Sequence, residues 1–447
     1  MRIRTRRVPL SLGLLLLFVA PFGCTAILGD FDVGPPSTST EGGTPEAATT
    51  SDAPSQETST PEAGANHFAG AKLVTAGARH TCALTEKNEV FCWGDNADGQ
   101  LGVPPATVRS DRPVKVNLPP NVKSLVAGAF HNCVVTDGFE AFCWGRNACG
   151  QVGAGDDQNP SPQPRKVVAP QGGQPLQFTA IAPGLDHTCA IEAGGATYCW
   201  GCNSRGQAGA LGIPNSPANP TTNRPLNAGN DKQNAIAVGA GAQHTCVIGS
   251  VQARVRCWGS EARGALGDGD PASETTTDAV LAETGAQVTA ISLSENHMCA
   301  IDANRRAACW GANGSGELGN PDAGAMLDKP GSRIAGGQVL AIAAGGAFTC
   351  GIGGDAIARC FGANANGELG RGGPPDTAPH PIPEPVGQPG SPTAELKAKD
   401  IAAGREHACA VLETTEVVCW GKGTDGQLGD GTAGGGPRTM PVFVRRP

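Results

Sequence analysis

The strongest constraint on this sequence is a unit with two cysteines that occurs seven times. The first copy contains the segments AGARHTCAL, VFCWG and DGQLG, and the first cysteines of successive copies are 51, 56, 57, 53, 51 and 59 residues apart. A period of about 50 residues with glycine-rich, strand-like units is typical of propellers and solenoids, because one such unit cannot bury its apolar face alone. Residues 67–447 are therefore expected to form one repeat body.

The composition agrees with short strands joined by tight turns. The chain of 447 residues contains 65 glycines and 36 prolines, and only 4% of its residues are aromatic. This composition favours many short strands, tight turns and a core of small side chains. The formal net charge of -8 is a poor electrostatic match for phosphates, so we expect no nucleic acid partner.

One unit predicts four short antiparallel strands. In the first unit these are residues 72–74, 80–84, 90–93 and 113–116, with a polar turn at 86–89. Seven such units predict an all-β fold, a seven-bladed β-propeller with four-stranded antiparallel blades.

The two cysteines of each unit lie symmetrically about the turn between the second and third strands. Cysteines that face each other in a non-hydrogen-bonded cross-strand pair have Cβ atoms close to the separation of a disulfide, so we expect one disulfide per blade. Buried thiols and a metal site are the alternatives, although nine or ten intervening residues are unlike the close cysteine pairs of zinc sites. The predicted pairs are Cys82–Cys92, Cys133–Cys143, Cys189–Cys199, Cys246–Cys257, Cys299–Cys309, Cys350–Cys360 and Cys409–Cys419.

Two further cysteines lie outside the repeat register. Cys149 follows Trp144 in the second unit, and Cys202 follows Trp200 in the third, so both belong to corners on the same side of neighbouring blades. Only these two cysteines remain when Cys24 and the seven predicted pairs are set aside. Because an oxidising compartment favours disulfides, we predict one between Cys149 and Cys202, with two unpaired thiols as the alternative. Seventeen cysteines in all would be unusual for a reducing cytosol.

The N-terminus is typical of a bacterial export signal. Residues 1–23 contain four arginines and then the apolar run 8–20, which is shorter than a membrane span of about 20 residues. Cys24 resembles the cysteine that receives the lipid in lipoprotein signals, although Pro21 and Phe22 depart from that pattern. Ordinary signal cleavage nearby is the alternative.

The segment after Cys24 predicts a tether. Residues 24–66 are rich in Ser, Thr and Pro and cannot form a packed core, so we expect a lipidated N-terminus followed by a disordered linker. The protein would then be exported and lipid-anchored at the bacterial cell envelope, on the outer membrane or the cell surface.

Several repeated residues invite a functional interpretation. A histidine recurs at the same position in six units. Because positions related by rotation about a wide channel need not converge within the roughly 2 Å bonds of a metal site, we expect each histidine to hydrogen-bond backbone at the start of an inner strand. The Trp-Gly pairs predict packing between blades, with a sugar platform as the alternative. The sixth unit departs, with Phe348 and Phe361 in place of His and Trp. The repeated histidines are His80, His131, His187, His244, His297 and His407.

Motifs for catalysis are lacking in the sequence. Acidic turns such as residues 95–99 and 268–270 lack the ligand spacing of a calcium loop. We find no nucleophile elbow, phosphate loop or paired metal-ligand motif, so we expect no enzyme activity, no metal and no cofactor.

The fourth unit has one additional residue between its cysteines, near Gln252, which predicts a longer turn or a bulge.

The pattern AGxxHTCAL, CWGxN and GQLG resembles the regulator of chromosome condensation repeat family over essentially the whole array. The resemblance implies a seven-bladed propeller whose chain ends usually meet in one blade. The eukaryotic founder of that family is a nuclear exchange factor for a small GTPase that also binds chromatin, and a member with similar repeats is a secreted bacterial inhibitor of β-lactamase. Neither activity is encoded in the repeat motif, and the export signal and cysteines argue against the nuclear role.

The sequence therefore predicts a monomeric, membrane-anchored, non-enzymatic module that binds a protein partner. Long proline-rich loops at residues 203–234 and 371–399 are expected to carry the binding. An inhibitor of a periplasmic or secreted enzyme is the alternative, and a carbohydrate-active enzyme is less favoured. The sequence does not name the partner.

Overall fold

The computed structural model describes residues 66–447 apart from 105–107, 156–158, 170–172, 210–220, 228–233, 261, 270–276, 280–286, 332–333, 335–336 and 433. The predicted signal, Cys24 and the linker up to residue 65 lie outside the described residues. Within the described part, no helix has the length and apolar composition needed to cross a membrane.

Seven four-stranded antiparallel sheets form seven blades, and within each blade the strands are neighbours in chain order. The first strand of each blade lies next to the axis and the fourth lies at the rim. This confirms the predicted seven-bladed β-propeller.

The strand bounds of the first four blades follow the predicted units. Blade 1 contains β1 (Ala71–Ala76), β2 (His80–Thr85), β3 (Val90–Asp95) and β4 (Arg109–Lys115). Blade 2 contains β5 (Val122–Ala127), β6 (His131–Thr136), β7 (Ala141–Gly145) and β8 (Ser161–Lys166). Blade 3 contains β9 (Phe178–Pro183), β10 (His187–Glu192), β11 (Thr197–Cys202) and β12 (Thr221–Asn227). Blade 4 contains β13 (Ala235–Ala240), β14 (His244–Gly249), β15 (Val255–Gly259) and β16 (Thr277–Ala279), with a short 3-10 turn at Ala262–Gly264.

The remaining blades repeat this plan with one addition. Blade 5 contains β17 (Val288–Leu293), β18 (His297–Asp302), β19 (Ala307–Ala312) and β20 (Met326–Leu327). Blade 6 contains β21 (Val339–Ala344), β22 (Phe348–Gly353), β23 (Ala358–Asn364) and β24 (Asp376–Pro385). An additional hairpin, β25 (Gly387–Gln388) and β26 (Ser391–Glu395), precedes blade 7. Blade 7 contains β27 (Ala398–Ala403), β28 (His407–Leu412), β29 (Val417–Gly421) and β30 (Arg438–Phe443).

The cysteines of each blade are direct partners in the register of the second and third strands. In blade 1, for example, Cys82 faces Cys92 between β2 and β3. The paired Cα atoms are 4.0–4.1 Å apart in all seven blades. This is the close cross-strand pairing that the spacing predicted, and one disulfide per blade is confirmed.

The additional residue of the fourth unit lengthens the turn and leaves the strands in register. Gln252 and Ala253 both have positive φ angles, 60° and 46°. The pairing of β14 with β15 shows no register shift, and Cys246 still faces Cys257. A longer turn, rather than a bulge in the strands, therefore accommodates the insertion.

The ring closes where the two ends of the described chain meet, on blade 7. His67 forms a β-bridge with Arg445, and the Phe68 N–H donates to the Val444 carbonyl at 2.8 Å. The His67 ring also stacks on Phe443 with centroids 4.0 Å apart. The meeting of the ends agrees with the closure that the family resemblance implies.

Both segments expected to be binding loops contain a rim strand. Residues 371–399 contain β24, which pairs with β23 as the rim strand of blade 6, and the hairpin β25–β26. Residues 203–234 contain β12, the rim strand of blade 3, while 210–220 and 228–233 lie outside the described residues. The assignment of residues 371–399 as a long irregular loop was wrong, because its prolines lie in an edge strand that lacks a pairing partner on one side.

Candidate binding face around the central channel

Each blade places two residues on the face where its first strand turns into its second. One precedes the histidine position, and the other follows the Trp-Gly pair. The backbone N–H of the second donates to the carbonyl of the first at 2.8–2.9 Å in all seven blades. The pairs are Arg79 with Asp95, Phe130 with Arg146, Asp186 with Cys202, Gln243 with Ser260, Asn296 with Ala312, Ala347 with Ala363 and Glu406 with Lys422. We call these residues the face ring.

The face ring has a charged half and an uncharged half. Blades 4, 5 and 6 contribute only glutamine, asparagine, serine and alanine. Blades 7, 1, 2 and 3 contribute every charged side chain of the ring, namely Glu406, Lys422, Arg79, Asp95, Arg146 and Asp186. The backbone of this face is thus nearly sevenfold, while its chemistry is not.

Arg146 is held by contacts with three blades. Its guanidinium lies 3.0 Å from Asp98 of blade 1 and 3.6 Å from Asp186 of blade 3. It also lies 3.7 Å from the centroid of the Phe130 ring. Burial raises the pKa of Asp186, and the Arg146 charge opposes that rise. The result is a fixed aromatic and cationic surface, because each contact restricts the guanidinium.

A narrow channel follows the axis beneath the face ring. A Cβ added to Gly77 would lie 2.6 Å from the Gly128 carbonyl oxygen, and one added to Gly128 would lie 2.5 Å from that of Gly184. Side chains are therefore excluded at these corners. The cavity measures about 80 Å³, whereas small-molecule pockets usually exceed about 300 Å³. The channel is too small to be a pocket of that class.

An ion pair crosses part of the channel mouth. Arg405 Nε of blade 7 lies 3.2 Å from Glu295 Oε1 of blade 5. The equivalent residue of blade 6 is Gly346, and a Cβ there would lie 3.2 Å from Arg405 Cγ. The glycine therefore leaves space for the arginine side chain to reach across blade 6.

The repeated histidines join neighbouring blades through side chains. His131 Nε2 of blade 2 lies 2.8 Å from Thr188 Oγ1 of blade 3. The Thr188 hydroxyl donates back to the Gln151 carbonyl of blade 2 at 2.8 Å. The Trp200 indole donates to the same carbonyl at 2.9 Å. Because the hydroxyl donates to the carbonyl, it accepts from the histidine, so His131 carries its proton on Nε2.

This arrangement recurs around the ring. The expectation of a backbone bond at an inner strand was wrong: these histidines begin the second strand of their blades, and Nε2 bonds a side chain of the next blade. The pairs are His80 with Asn132, His131 with Thr188, His187 with Thr245, His297 with Thr349 and His407 with Thr81. We call the six repeated histidines the histidine belt, and all of them except His244 form this link.

Burial keeps the belt histidines neutral. It lowers the pKa of His131, His187, His297 and His407 to about 3. It lowers the pKa of His244 to about 4. Burial also lowers the pKa of His80, although the Asn132 contact opposes this effect. A neutral, buried imidazole that bonds one threonine is a structural link between blades rather than a metal ligand.

The interface between blades 4 and 5 lacks these links. Met298 replaces the threonine, and Ala265 replaces the glutamine of the corner. Among the described residues, His244 Nε2 and Trp310 Nε1 have no hydrogen-bond partner although both are buried. Met298 instead contacts the Cys246 sulfur at 3.4 Å. This interface is therefore joined mainly by apolar packing.

The sixth blade changes both members of its link. Phe348 occupies the histidine position, and Ala408 of blade 7 occupies the threonine position, both buried. The Trp420 indole still donates to the Glu368 carbonyl at 2.8 Å. Replacing donor and acceptor together avoids an unpaired buried group, which explains why the sixth unit departs from the pattern.

Burial decides between the two interpretations of the tryptophans. All six tryptophans are 0–1% exposed, so none offers a surface platform to a sugar, and the predicted packing between blades is confirmed. Within the described residues there is no group of three His, Cys, Asp or Glu side chains that could hold a metal ion. Asp270 of the acidic turn 268–270 lies outside the described residues.

The structure also brings together the two cysteines outside the repeat register. It joins Cys149 to Cys202 by a disulfide with Cα atoms 5.1 Å apart, within the usual range for such a bond. Cys149 is equivalent to Asp98 of blade 1, and Cys202 is equivalent to Arg146 of blade 2. Asp98 and Arg146 form an ion pair at 3.0 Å. The equivalent contact is thus an ion pair between blades 1 and 2 and a disulfide between blades 2 and 3.

Sequence reasoning missed the acceptors of the histidine belt and the face ring. The residue that follows the histidine position in each unit is Thr, Asn or Met, except for Ala408 in the seventh unit. The sixth unit, which precedes it, has Phe348 in place of the histidine. That paired replacement was a signal that the two positions touch. The face ring carried no comparable signal, because its side chains differ between units.

The sequence repeat of this chain matches that of a known protein family. Two family models described as the regulator of chromosome condensation (RCC1) repeat match the chain, and together they cover more than half of its length. The matched segments are 71–100, 122–151, 178–207, 288–317 and 398–427 for one model, and 87–135, 140–191 and 194–248 for the other.

One curated protein and two solved structures show the extent of the similarity. The ultraviolet-B receptor UVR8 of Arabidopsis thaliana is 27% identical over 367 residues, which cover 80% of this chain and 78% of the receptor. Human WBSCR16 superposes with a TM-score of 0.69 at 22% identity, over 80% of this chain and 95% of that chain.

Prp20p from Saccharomyces cerevisiae superposes with a TM-score of 0.65 at 20% identity, over 74% of this chain and 80% of that chain. Both structural likenesses are evidence for the fold alone. The seven blades, the repeated cysteines and the matched repeats agree on one assignment. The chain belongs to the regulator of chromosome condensation (RCC1) repeat family.

Proposed function

We propose that this chain is a non-enzymatic, monomeric protein-binding module that holds a protein partner on its face ring. The observation that carries the proposal is a contrast between a repeated frame and a varied surface. One backbone hydrogen bond fixes the same corner in all seven blades. The residue before the histidine position is nevertheless different in every blade, and each of these residues is at least partly exposed.

The chemistry of the face ring favours a protein as the ligand. Interfaces between proteins concentrate their energy on aromatic and arginine side chains surrounded by polar residues. Phe130 and Arg146 are stacked on each other in the charged half. The uncharged half offers small side chains and amides, against which the surface of a partner would pack closely. The axial cavity of about 80 Å³ is small for a metabolite, so the face rather than the channel is the expected contact area.

Relatives support the same class of function. The Prp20p structure is described together with its binding properties to Gsp1p and histones, and another structure holds Kap60 bound to yeast RCC1 (Prp20). Gsp1p, histones and Kap60 are partners of the yeast protein. These partners favour protein binding as the use of this fold, while the partner of the present chain has to be identified by experiment.

A pair of matched variants tests the face. Arg79→Glu with Phe130→Ala alters the face ring, whereas Lys123→Glu with Phe139→Ala makes the same chemical changes at the opposite end of the strands of blade 2, where Lys123 lies 5.5 Å from the Phe139 ring centroid. Full-length, detergent-solubilised protein is used to capture proteins from cell-envelope extracts, followed by mass spectrometry. A partner captured by wild type and by the Lys123/Phe139 variant, and lost from the Arg79/Phe130 variant, is expected. Equal capture by both variants would remove the face ring as the binding site.

We also propose that the propeller is exported and anchored to the bacterial cell envelope by a lipid on Cys24. The support is the basic and apolar segment 1–23, Cys24 after it, and the Ser/Thr/Pro-rich linker. Metabolic labelling with a lipid precursor is expected to mark the wild type and not Cys24→Ala. Equal labelling of the two proteins would refute the anchor and leave the binding proposal intact.

A further inference from the structure

The disulfide between Cys149 and Cys202 differs from the other seven in its surroundings. The cysteines of the seven blade disulfides are 0–1% exposed. Cys149 and Cys202 are both partly exposed on the face that carries the face ring. A thiol–disulfide exchange needs direct contact between an attacking thiolate and a sulfur atom, so exposure decides which disulfides react in the folded protein.

Neither cysteine depends on this disulfide for its position. The Cys149 N–H donates to Gln151 Oε1 at 2.8 Å, and the loop is closed by the Gly150 N–H on the Asn147 carbonyl at 2.9 Å. Cys202 ends β11, and its N–H donates to the Asp186 carbonyl at 2.8 Å. Both backbones therefore keep their hydrogen bonds when the sulfur bond is broken, and the thiols stay close enough to form it again.

The cysteines of a blade are in a different situation. They connect the second and third strands of a single sheet. In blade 1, for example, Cys82 and Cys92 are buried in a core cluster with Leu125, Val134 and Trp144 of the next blade. A reductant reaches them only after two blades separate. Reduction of a blade disulfide is therefore coupled to opening of the core, whereas reduction of Cys149–Cys202 is not.

We propose that Cys149 and Cys202 form a reversible thiol–disulfide exchange site whose co-substrate is a dithiol. One thiolate of the dithiol attacks a sulfur of the pair, forms a mixed disulfide and releases the other cysteine as a thiolate, which takes up a proton. The second thiol of the dithiol loses its proton and attacks the other dithiol sulfur, which is bonded to the protein in the mixed disulfide, and the remaining cysteine leaves as a thiolate that takes up a proton. Two electrons pass to the protein, and the dithiol leaves as an internal disulfide.

The exchange has a structural consequence for the face ring. Cys202 is the partner of Asp186 in that ring, and the disulfide ties this position of blade 3 to the corner of blade 2. Reduction removes the tie and leaves two thiols on the surface. The inference is independent of the proposed partner binding, because its test counts thiols and requires no partner.

A dithiothreitol titration of the folded, full-length protein tests the site. Samples are alkylated without denaturant at each concentration, and labelled cysteines are located by peptide mass spectrometry. Labelling of Cys149 and Cys202 is expected at a dithiothreitol concentration at least tenfold lower than labelling of any blade cysteine. Addition of oxidised glutathione should then restore the unlabelled state. Circular dichroism spectra of the folded protein should be the same before and after this disulfide is reduced.

Two results would overturn the proposal. Labelling of Cys149 and Cys202 without any reductant would show that no bridge exists, and labelling of blade cysteines at the same dithiothreitol concentration would show that the site is not selective. The variant Cys149→Ser with Cys202→Ser should lose the early labelling. Cys82→Ser with Cys92→Ser, which removes a blade disulfide, should keep it. Because the titration uses wild-type protein, the proposal is tested even if a variant fails to fold.

Discussion

The residue that follows each belt histidine decides how two neighbouring blades are joined. In Thr188 a single hydroxyl accepts from His131 and donates to the Gln151 carbonyl. In Met298 the same position has no hydroxyl, and His244 Nε2 is left without a partner among the described residues. Thr188 therefore links blades 2 and 3 through its hydroxyl, whereas the equivalent Met298 gives blades 4 and 5 no such link.

These two positions give a matched pair of substitutions. Thr188→Val keeps the shape but leaves the buried N–H of His131 unpaired, so it is expected to lower the free energy of unfolding by about 1–3 kcal/mol. Met298→Leu changes no hydrogen bond and should cost less than about 1.5 kcal/mol. Urea unfolding of both variants provides the comparison. A cost for Thr188→Val no larger than that for Met298→Leu would contradict the assigned role of the hydroxyl.

At the scale of the blade, the strands could be predicted from the sequence. Each strand is short and bounded by glycine or polar turns, and Cys82 and Cys92 lie equally far from the centre of one turn, so local spacing fixes the register. The link between His80 and Asn132 was less accessible, because these residues are 52 positions apart and belong to different blades. Contacts between blades depend on how sheets pack, and a single unit does not contain that information.

Blade 6 provides a test of the link as a unit of two residues. Phe348→His alone would leave an imidazole opposite Ala408, and Ala408→Thr alone would place a hydroxyl against Phe348. Each single variant is expected to be destabilised. The double variant should recover stability, because the introduced hydroxyl would accept from the introduced imidazole and donate to the Glu368 carbonyl. That carbonyl already accepts from Trp420.

The four proteins form a double-mutant cycle. Urea unfolding should give a coupling energy of about 1–3 kcal/mol in favour of the double variant. Additive effects, with a coupling energy near zero, would show that Phe348 and Ala408 do not replace a histidine link. The blade 4 and 5 interface, where no such link exists, is a suitable place to check that unrelated substitutions do not couple.

At the scale of the whole molecule, the ring has an uneven set of interfaces. The interfaces from blade 7 through blade 1 to blade 4 contain both a histidine link and the Trp-to-carbonyl bond. The interface between blades 4 and 5 contains neither. The sequence predicted the number of blades and the cysteine pairing, but it did not predict this unevenness, since the deciding residues, Met298 and Ala265, lie in different units.

The belt also predicts how the whole propeller responds to acid. Six buried histidines have pKa values below the ordinary value of 6.5, and five of them are lowered to about 3 or about 4. In the unfolded chain they bind protons below pH 6.5, while in the folded chain they remain neutral. The stability they provide is therefore complete above pH 6.5 and is lost as the pH falls towards 4 and 3.

Buried carboxyl groups act in the opposite direction: burial raises the pKa of Asp186, Glu317 and Glu368, and it raises the pKa of Asp400 most. Burial raises the pKa of Asp400, which accepts from the Val74 N–H at 2.8 Å between blades 7 and 1, to about 7. Its effect favours the folded state as the pH falls from 7 towards 3.8, because the folded chain then binds the proton that the unfolded chain has lost. Asp400→Asn removes this opposing contribution and should make the acid response steeper.

Urea unfolding between pH 7 and pH 5, at constant ionic strength and with the disulfides intact, measures the balance. The slope of the free energy of unfolding against pH gives the number of protons taken up on unfolding. Near pH 5 we expect about one proton for each of the five histidines whose pKa burial lowers to about 3 or about 4, measured in the Asp400→Asn protein. In that background His131→Phe with Thr188→Ala, which copies the natural pair Phe348 and Ala408, should lower the uptake by about one proton. If this double replacement leaves the proton uptake unchanged, His131 does not enter the folded core in neutral form.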